Sequence, residues 1–68
     1  MPYVNVKVTR EGVTADDKAA IISGMTQVLV DVLHKDPALT FVVIDEVDLE
    51  AWGVGGLPTP AYRAQRSA

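Results

Sequence analysis

Thr14-Ala15-Asp16-Asp17-Lys18-Ala19-Ala20-Ile21-Ile22-Ser23-Gly24-Met25-Thr26-Gln27-Val28-Leu29-Val30-Asp31-Val32-Leu33-His34 is the longest periodic stretch of this 68-residue chain, and what flanks it decides the fold. Lys18, Ile22, Met25, Leu29 and Leu33 recur at a spacing of three or four, with Ile21, Val28 and Val32 beside them. That period predicts an amphipathic helix from Ala15 to about His34. Thr14 is the expected N-cap, because Asp17 three residues on completes the acid variant of a capping box. Asp16 and Asp17 also place negative charge where the helix dipole favours it. At the far end, His34 and Lys35 supply positive charge and Pro37 blocks continuation. Gly24 is out of place inside a helix, at a cost of about 1 kcal/mol relative to Ala. Close approach of a neighbouring strand or subunit would account for it.

Outward on the N-terminal side, Pro2 to Thr9 alternates: Val4, Val6 and Val8 on one face, Tyr3, Asn5, Lys7 and Thr9 on the other. Period two with β-branched residues predicts a strand, and Gly12 punctuates the turn that follows. On the C-terminal side, Thr40-Phe41-Val42-Val43-Ile44 is a nearly unbroken apolar run, expected as a strand buried on both faces. Strand, long helix and strand make a β-α-β unit with parallel strands and a right-handed crossover. Two strands do not make an independently stable sheet, and both outer edges stand open. A second copy of the chain is the expected cover. Beyond Asp45-Glu46-Val47-Asp48-Leu49-Glu50 comes Ala51-Trp52-Gly53-Val54-Gly55-Gly56, a Gly-rich turn with the one Trp. Residues 57–68, with Pro58 and Pro60, are expected as a tail that lies on another subunit or is partly disordered. Residues 1–68 read as a single domain.

Composition bounds the function. The chain is 49% hydrophobic and 22% charged, with net charge −3 and no cysteine. Disorder, a disulfide scaffold and a thiol-based metal or redox site are excluded. No stretch of about 18 apolar residues is present to span a bilayer. Met1 to Lys7 lacks the basic start and long apolar run of a signal peptide, so a reducing cytoplasm is the expected setting. A slightly acidic chain with six Lys and Arg is a poor nucleic-acid binder. Ordering 68 residues costs roughly 100 kcal/mol, and a domain of this size buries only about 60% of its unfolded surface. Its many Val, Ile and Leu residues are therefore expected to be buried between subunits.

The inventory for chemistry is short. His34 falls at a helix end, where termination is its simplest role. Carboxylates without ligand-like spacing predict no metal, and no cofactor is expected. Neither Ser23 nor Ser67 has the setting of a nucleophile elbow. Gly53-Val54-Gly55-Gly56 lacks the Lys-Ser/Thr and helix of a phosphate loop. Pro2 is the unusual candidate. With Met1 removed it becomes an N-terminal secondary amine with an ordinary pKa of about 8. Burial in an apolar pocket would lower that value and suit it to general base and general acid work near neutrality. By itself Pro2 is better accounted for as the first residue of a strand, where proline costs no ladder bond.

The chain as a whole resembles the 4-oxalocrotonate tautomerase group of the tautomerase superfamily. The resemblance is carried by Pro2-Tyr3-Val4-Asn5-Val6-Lys7-Val8, by Glu11-Gly12 with Thr14 to Lys18 opening the helix, by Val42-Val43-Ile44-Asp45-Glu46-Val47, and by Trp52-Gly53-Val54-Gly55-Gly56. It implies an α+β fold, a β-α-β unit with a short C-terminal hairpin, assembled as a homohexamer, a trimer of dimers. It further implies a tautomerase that interconverts enol and keto forms of a small 2-oxo or 2-hydroxydienoate or a related carbonyl acid, with Pro2 as the catalytic base and acid. Trp52 falls where relatives carry an aromatic wall that lowers the proline's pKa. The two arginines that grip a dicarboxylate do not transfer, since their positions are Val13 and Phe41. Arg10, just after the first strand, is the expected substitute for the first of them. Phe41 would narrow the pocket toward an apolar substrate, and Tyr3 would donate a hydrogen bond to a substrate carbonyl. Glu50 is the weaker candidate for activating water, as a carboxylate does in dehalogenating relatives. Two alternatives stand beside the enzyme: a homo-oligomeric binding module whose chemistry has weakened, and a dehalogenase- or hydratase-like relative.

Overall fold

Thr14 and Asp17 begin the helix as a reciprocal pair. The Thr14 hydroxyl accepts the Asp17 N–H at 3.0 Å, and the Asp17 carboxylate accepts the Thr14 N–H at 3.0 Å. In the computed structural model, which describes residues 1–67 save the side chain of Ser67, helix α1 runs Ala15–Leu33. It ends one residue short of His34. That residue turns into the left-handed region (φ 55, ψ 37), so its N–H returns to Val30 O and the Lys35 N–H reaches Leu29 O. Backbone geometry therefore terminates the helix, and no basic residue lies in its last turn. A 3-10 turn, Pro37–Leu39, follows. Asp36 caps it by accepting the Ala38 N–H at 2.9 Å.

Strand β1 (Tyr3–Thr9) and strand β2 (Phe41–Val47) pair in parallel, Tyr3 opposite Phe41 and Thr9 opposite Val47. The register sorts the two faces. Val4, Val6, Val8, Val42 and Ile44 are half-buried on the side covered by α1. Tyr3, Phe41 and Val43 share the other side and remain 62%, 48% and 42% exposed. The expectation that β2 is buried on both faces is thus corrected for the single chain. One helix covers one face of a two-stranded sheet, and 68 residues supply no second layer. A polar ladder crosses the open face, where the Asn5 amide and the Lys7 ammonium both donate to Asp45 (2.9 and 3.0 Å).

After β2 a second 3-10 turn, Leu49–Ala51, leads into a hairpin of β3 (Gly53–Val54) and β4 (Leu57–Pro58). Gly55 and Gly56 form its two-residue loop with φ +59 and +84. Positive φ at both positions is what a type I′ hairpin turn requires and what glycine supplies. The stretch read as a tail carries regular structure instead: β4 and then helix α2, Thr59–Ser67. Pro60 sits in the first turn of α2, where the missing N–H costs nothing. Ala68, the last residue of that expected tail, lies outside the described residues. Arg63 ties α2 back to Glu11 in the loop after β1.

No apolar side chain among the described residues is fully buried; the buried residue is Thr59, at 4% exposure. The accessible surface is 4903 Å², against about 4,200 Å² for a compact monomer of this mass. The radius of gyration is 15.8 Å, against about 11 Å for a compact 68-residue domain. The protomer is an elongated body of 48 × 23 × 16 Å whose covering layers are incomplete.

Candidate active site

The expected site residues divide between the two ends of the sheet. At the head of β1, Pro2 is half-buried, and its carbonyl accepts the Phe41 N–H at 3.0 Å. Tyr3 lies opposite Phe41 in register. The structure therefore brings Pro2, Tyr3 and Phe41 to the same end of the sheet, with the two aromatic residues on one face. Their juxtaposition follows from the parallel register, which sets the first residues of both strands side by side.

Arg10 and Trp52 are at the opposite end. Eight residue steps of extended chain take Pro2 to Arg10, roughly 26 Å at the rise of a strand. The Arg10 N–H donates to Val47 O at 2.8 Å. Its guanidinium donates through Nε to Asp48 (2.8 Å), through Nη1 to Glu46 Oε2 (3.0 Å) and through Nη2 to the Glu46 carbonyl (3.3 Å). Glu46 is also bound by the Lys18 ammonium from α1. That contact, with the charges of Lys18 and Arg10, holds the Glu46 carboxyl below the usual carboxylate range. The same end carries a cleft of 310 Å³ lined by Arg10, Asp48, Leu49, Glu50 and Pro60. Trp52 closes the 3-10 turn beside it, half-buried, and its carbonyl accepts both the N–H (3.0 Å) and the hydroxyl of Thr59. Glu50 thus lines a cleft with Arg10, away from the Pro2 of its own chain.

Sequence reasoning missed Lys18, Glu46 and Asp48 as partners of Arg10. Lys18 read as one position of a helical stripe and Glu46 as part of an acidic run. Only the register, which sets Glu46 opposite Val8 on the helix side of the sheet, joins them. Val13 and Phe41, the positions of the two absent arginines, are half-buried and exposed respectively.

The family model described as Tautomerase enzyme matches residues 2–61. The chain belongs to the tautomerase family. It is 51% identical over 67 residues to probable tautomerase K2 of Dickeya dadantii, covering 98% of this chain and all of the relative. Among solved structures it is similar to DmpI from Helicobacter pylori, with TM-score 0.86 and 37% identity over 93% of this chain and 97% of that one. A 4-oxalocrotonate tautomerase isozyme from Methylibium petroleiphilum superposes with TM-score 0.81 and 30% identity over 90% and 97% of the two chains. The likeness to the 4-oxalocrotonate tautomerase group drawn from Pro2–Val8, the helix opening, Val42–Val47 and Trp52–Gly56 is therefore correct. So is the fold, α+β with a parallel β-α-β unit and a C-terminal antiparallel hairpin. Among the described residues of this tautomerase no helix is long and apolar enough to cross a membrane.

Proposed function

We propose that this tautomerase moves a proton between carbon and oxygen of a small carbonyl acid, a 2-oxo or 2-hydroxydienoate, with the Pro2 amine as general base and then general acid. The observation that carries the reading is the position of Pro2, half-buried at the head of β1 beside the Tyr3 and Phe41 pair. Met1 is 82% exposed, so its removal uncovers the amine without disturbing any packing. An apolar surround disfavours the protonated amine and brings its pKa toward neutrality, where one group can both take and give a proton. In this reading Tyr3 donates a hydrogen bond to a substrate carbonyl, and Phe41 narrows the pocket.

A single protomer holds Pro2 at one end of the sheet and Arg10 and Trp52 at the other, which supports a site completed between subunits. We therefore read the working species as a homo-oligomer, a hexamer built as a trimer of dimers. In it the Arg10 cleft and the Trp52 wall of one subunit meet the Pro2 of another. Preorganised donors at the cleft would stabilise the oxyanion of the enol. The setting we assign is cytoplasmic, and residues 57–68 of the single domain serve as an intersubunit arm.

The test is a pH–rate profile of enol ketonisation on protein whose amino terminus has been established by intact mass. Wild type should show an acid limb, a fall in rate as the amine becomes protonated, that titrates below the ordinary amine value. Pro2→Ala should lose that limb and about 10²-fold or more in turnover. Unchanged turnover in Pro2→Ala rejects the proposal. A second reading, a binding module of weakened chemistry, is favoured by the two carboxylates that occupy Arg10; it predicts retained Met1 and no ketonisation above buffer. Halide release from a haloacrylate would mark the dehalogenase-like alternative.

A further inference from the structure

Arg10 is held by two carboxylates of different standing. The Glu46 side chain is 15% exposed and shared with Lys18, so it is fixed in place. The Asp48 side chain is 72% exposed and makes no capping bond to the 3-10 turn it precedes. Its described bond is the one to Arg10 Nε. Of the five guanidinium N–H groups, three are occupied as described above, which leaves one N–H on each terminal nitrogen for a ligand. A carboxylate entering the cleft can meet these and take over the Nε–H by exchanging with Asp48, while Glu46 stays.

The remainder of the cleft lining is Leu49, Glu50 and Pro60. Among these residues there is no second cation. The displaced Asp48 and Glu50 are both anionic, and Leu49 and Pro60 are apolar. From this arrangement we infer that the Arg10 cleft selects monoanionic carbonyl acids with an apolar remainder and rejects dicarboxylates, and that Asp48 and Glu50 set this preference by repelling a second carboxylate. The inference rests on the proposed tautomerase reading and names its substrate class. A second carboxylate would stand beside two like charges with no partner of its own, and like-charge placement of this kind is penalised and salt-sensitive.

The experiment reads binding without turnover. The Arg10 Nε–H signal of the intact protein is followed by NMR during titration with 2-oxopentanoate and with 2-oxoglutarate, five-carbon acids that differ in the terminal carboxylate. The expected result is that both probes move the signal and the monoanion binds about tenfold more tightly at low salt. The ratio should shrink in 0.5 M salt, which a purely steric preference would not do. In Asp48→Asn the dianion should come within about threefold of the monoanion, and Glu50→Gln should move the ratio in the same direction. Equal or tighter dianion binding by wild type, a ratio unmoved in both variants, or an Arg10 signal that neither acid shifts overturns the inference. Because no enol needs to react, a protein that fails the Pro2 test still passes or fails this one.

Discussion

His34 carries a positive φ of 55 without being glycine, and this conformation closes α1. An L side chain in the left-handed region costs about 1–2 kcal/mol, part of which glycine would return to the unfolded chain as entropy. His34→Gly is therefore expected to stabilise the protein by about 0.5–1 kcal/mol, whereas His34→Val should destabilise it by at least about 1 kcal/mol, since a β-branched residue tolerates this region poorly. Urea midpoints at one fixed protein concentration check both, with ketonisation rates unchanged. A His34→Gly protein that is less stable than wild type would show that the imidazole makes a contact that the backbone argument omits. At this same scale, Pro2 is informative only through its neighbours. A proline at the head of a strand says little until its carbonyl is seen to accept the Phe41 N–H at the end of the sheet where Tyr3 and Phe41 pair.

The parallel pairing of β1 with β2, and of both with α1, concentrates carboxylates whose charged forms are stabilised by the fold. The Lys18 hydrogen bond holds Glu46 low, the Asn5 amide and Lys7 hold Asp45 low, and Arg63 and Thr9 hold Glu11 low. A carboxyl whose folded pKa is depressed binds fewer protons than its unfolded counterpart. Its stabilisation is thus fully present above the ordinary carboxylate range, about 4 to 4.5, and is lost as pH falls through the lower folded values. Urea midpoints should be flat from pH 7 to about 5 and fall below it. Glu46→Gln should make that fall shallower, because the residue then titrates in neither state; an unchanged slope would remove Glu46 from the account. These elements differ in how far they could be read beforehand. Alternation at Val4, Val6 and Val8 marks β1 and its buried face, and Thr14 with Asp17 marks the start of α1, since both signals are local. The run Phe41–Ile44 is apolar at every position, so its parity hides which face α1 covers. Leu57-Pro58-Thr59-Pro60 looks like a breaker, yet Pro60 opens α2 instead of preventing it. The partners of Arg10 were illegible for a different reason: they lie 36 and 38 positions away and meet it only through the register.

The whole molecule is short of interior. Its sheet has one covered face, and α1 leaves Ile22, Met25, Val28, Val32 and Leu33 exposed on its own surface. A chain with this much apolar area in water and no disulfide gains stability mainly by association. Stability linked to assembly rises with protein concentration, so the thermal midpoint should climb as the protein is concentrated from micromolar to millimolar. Val43 offers the sharpest probe of where association occurs. It sits on the open face of the sheet opposite Asn5, partly exposed in the single chain, so Val43→Asp introduces no buried charge within a protomer. In an assembly that covers this face the same carboxylate would be desolvated without a partner, a change of several kcal/mol at each interface. Light scattering after size exclusion should give wild type near six times the chain mass of 7.3 kDa and Val43→Asp at a smaller stoichiometry with helix content preserved. Because the Pro2 site is argued to be completed by a second subunit, ketonisation should fall with the loss of assembly and recover as the variant is concentrated. A Val43→Asp protein that keeps both the wild-type mass and the wild-type rate would place the subunit contacts elsewhere, on the α1 surface in place of the open sheet.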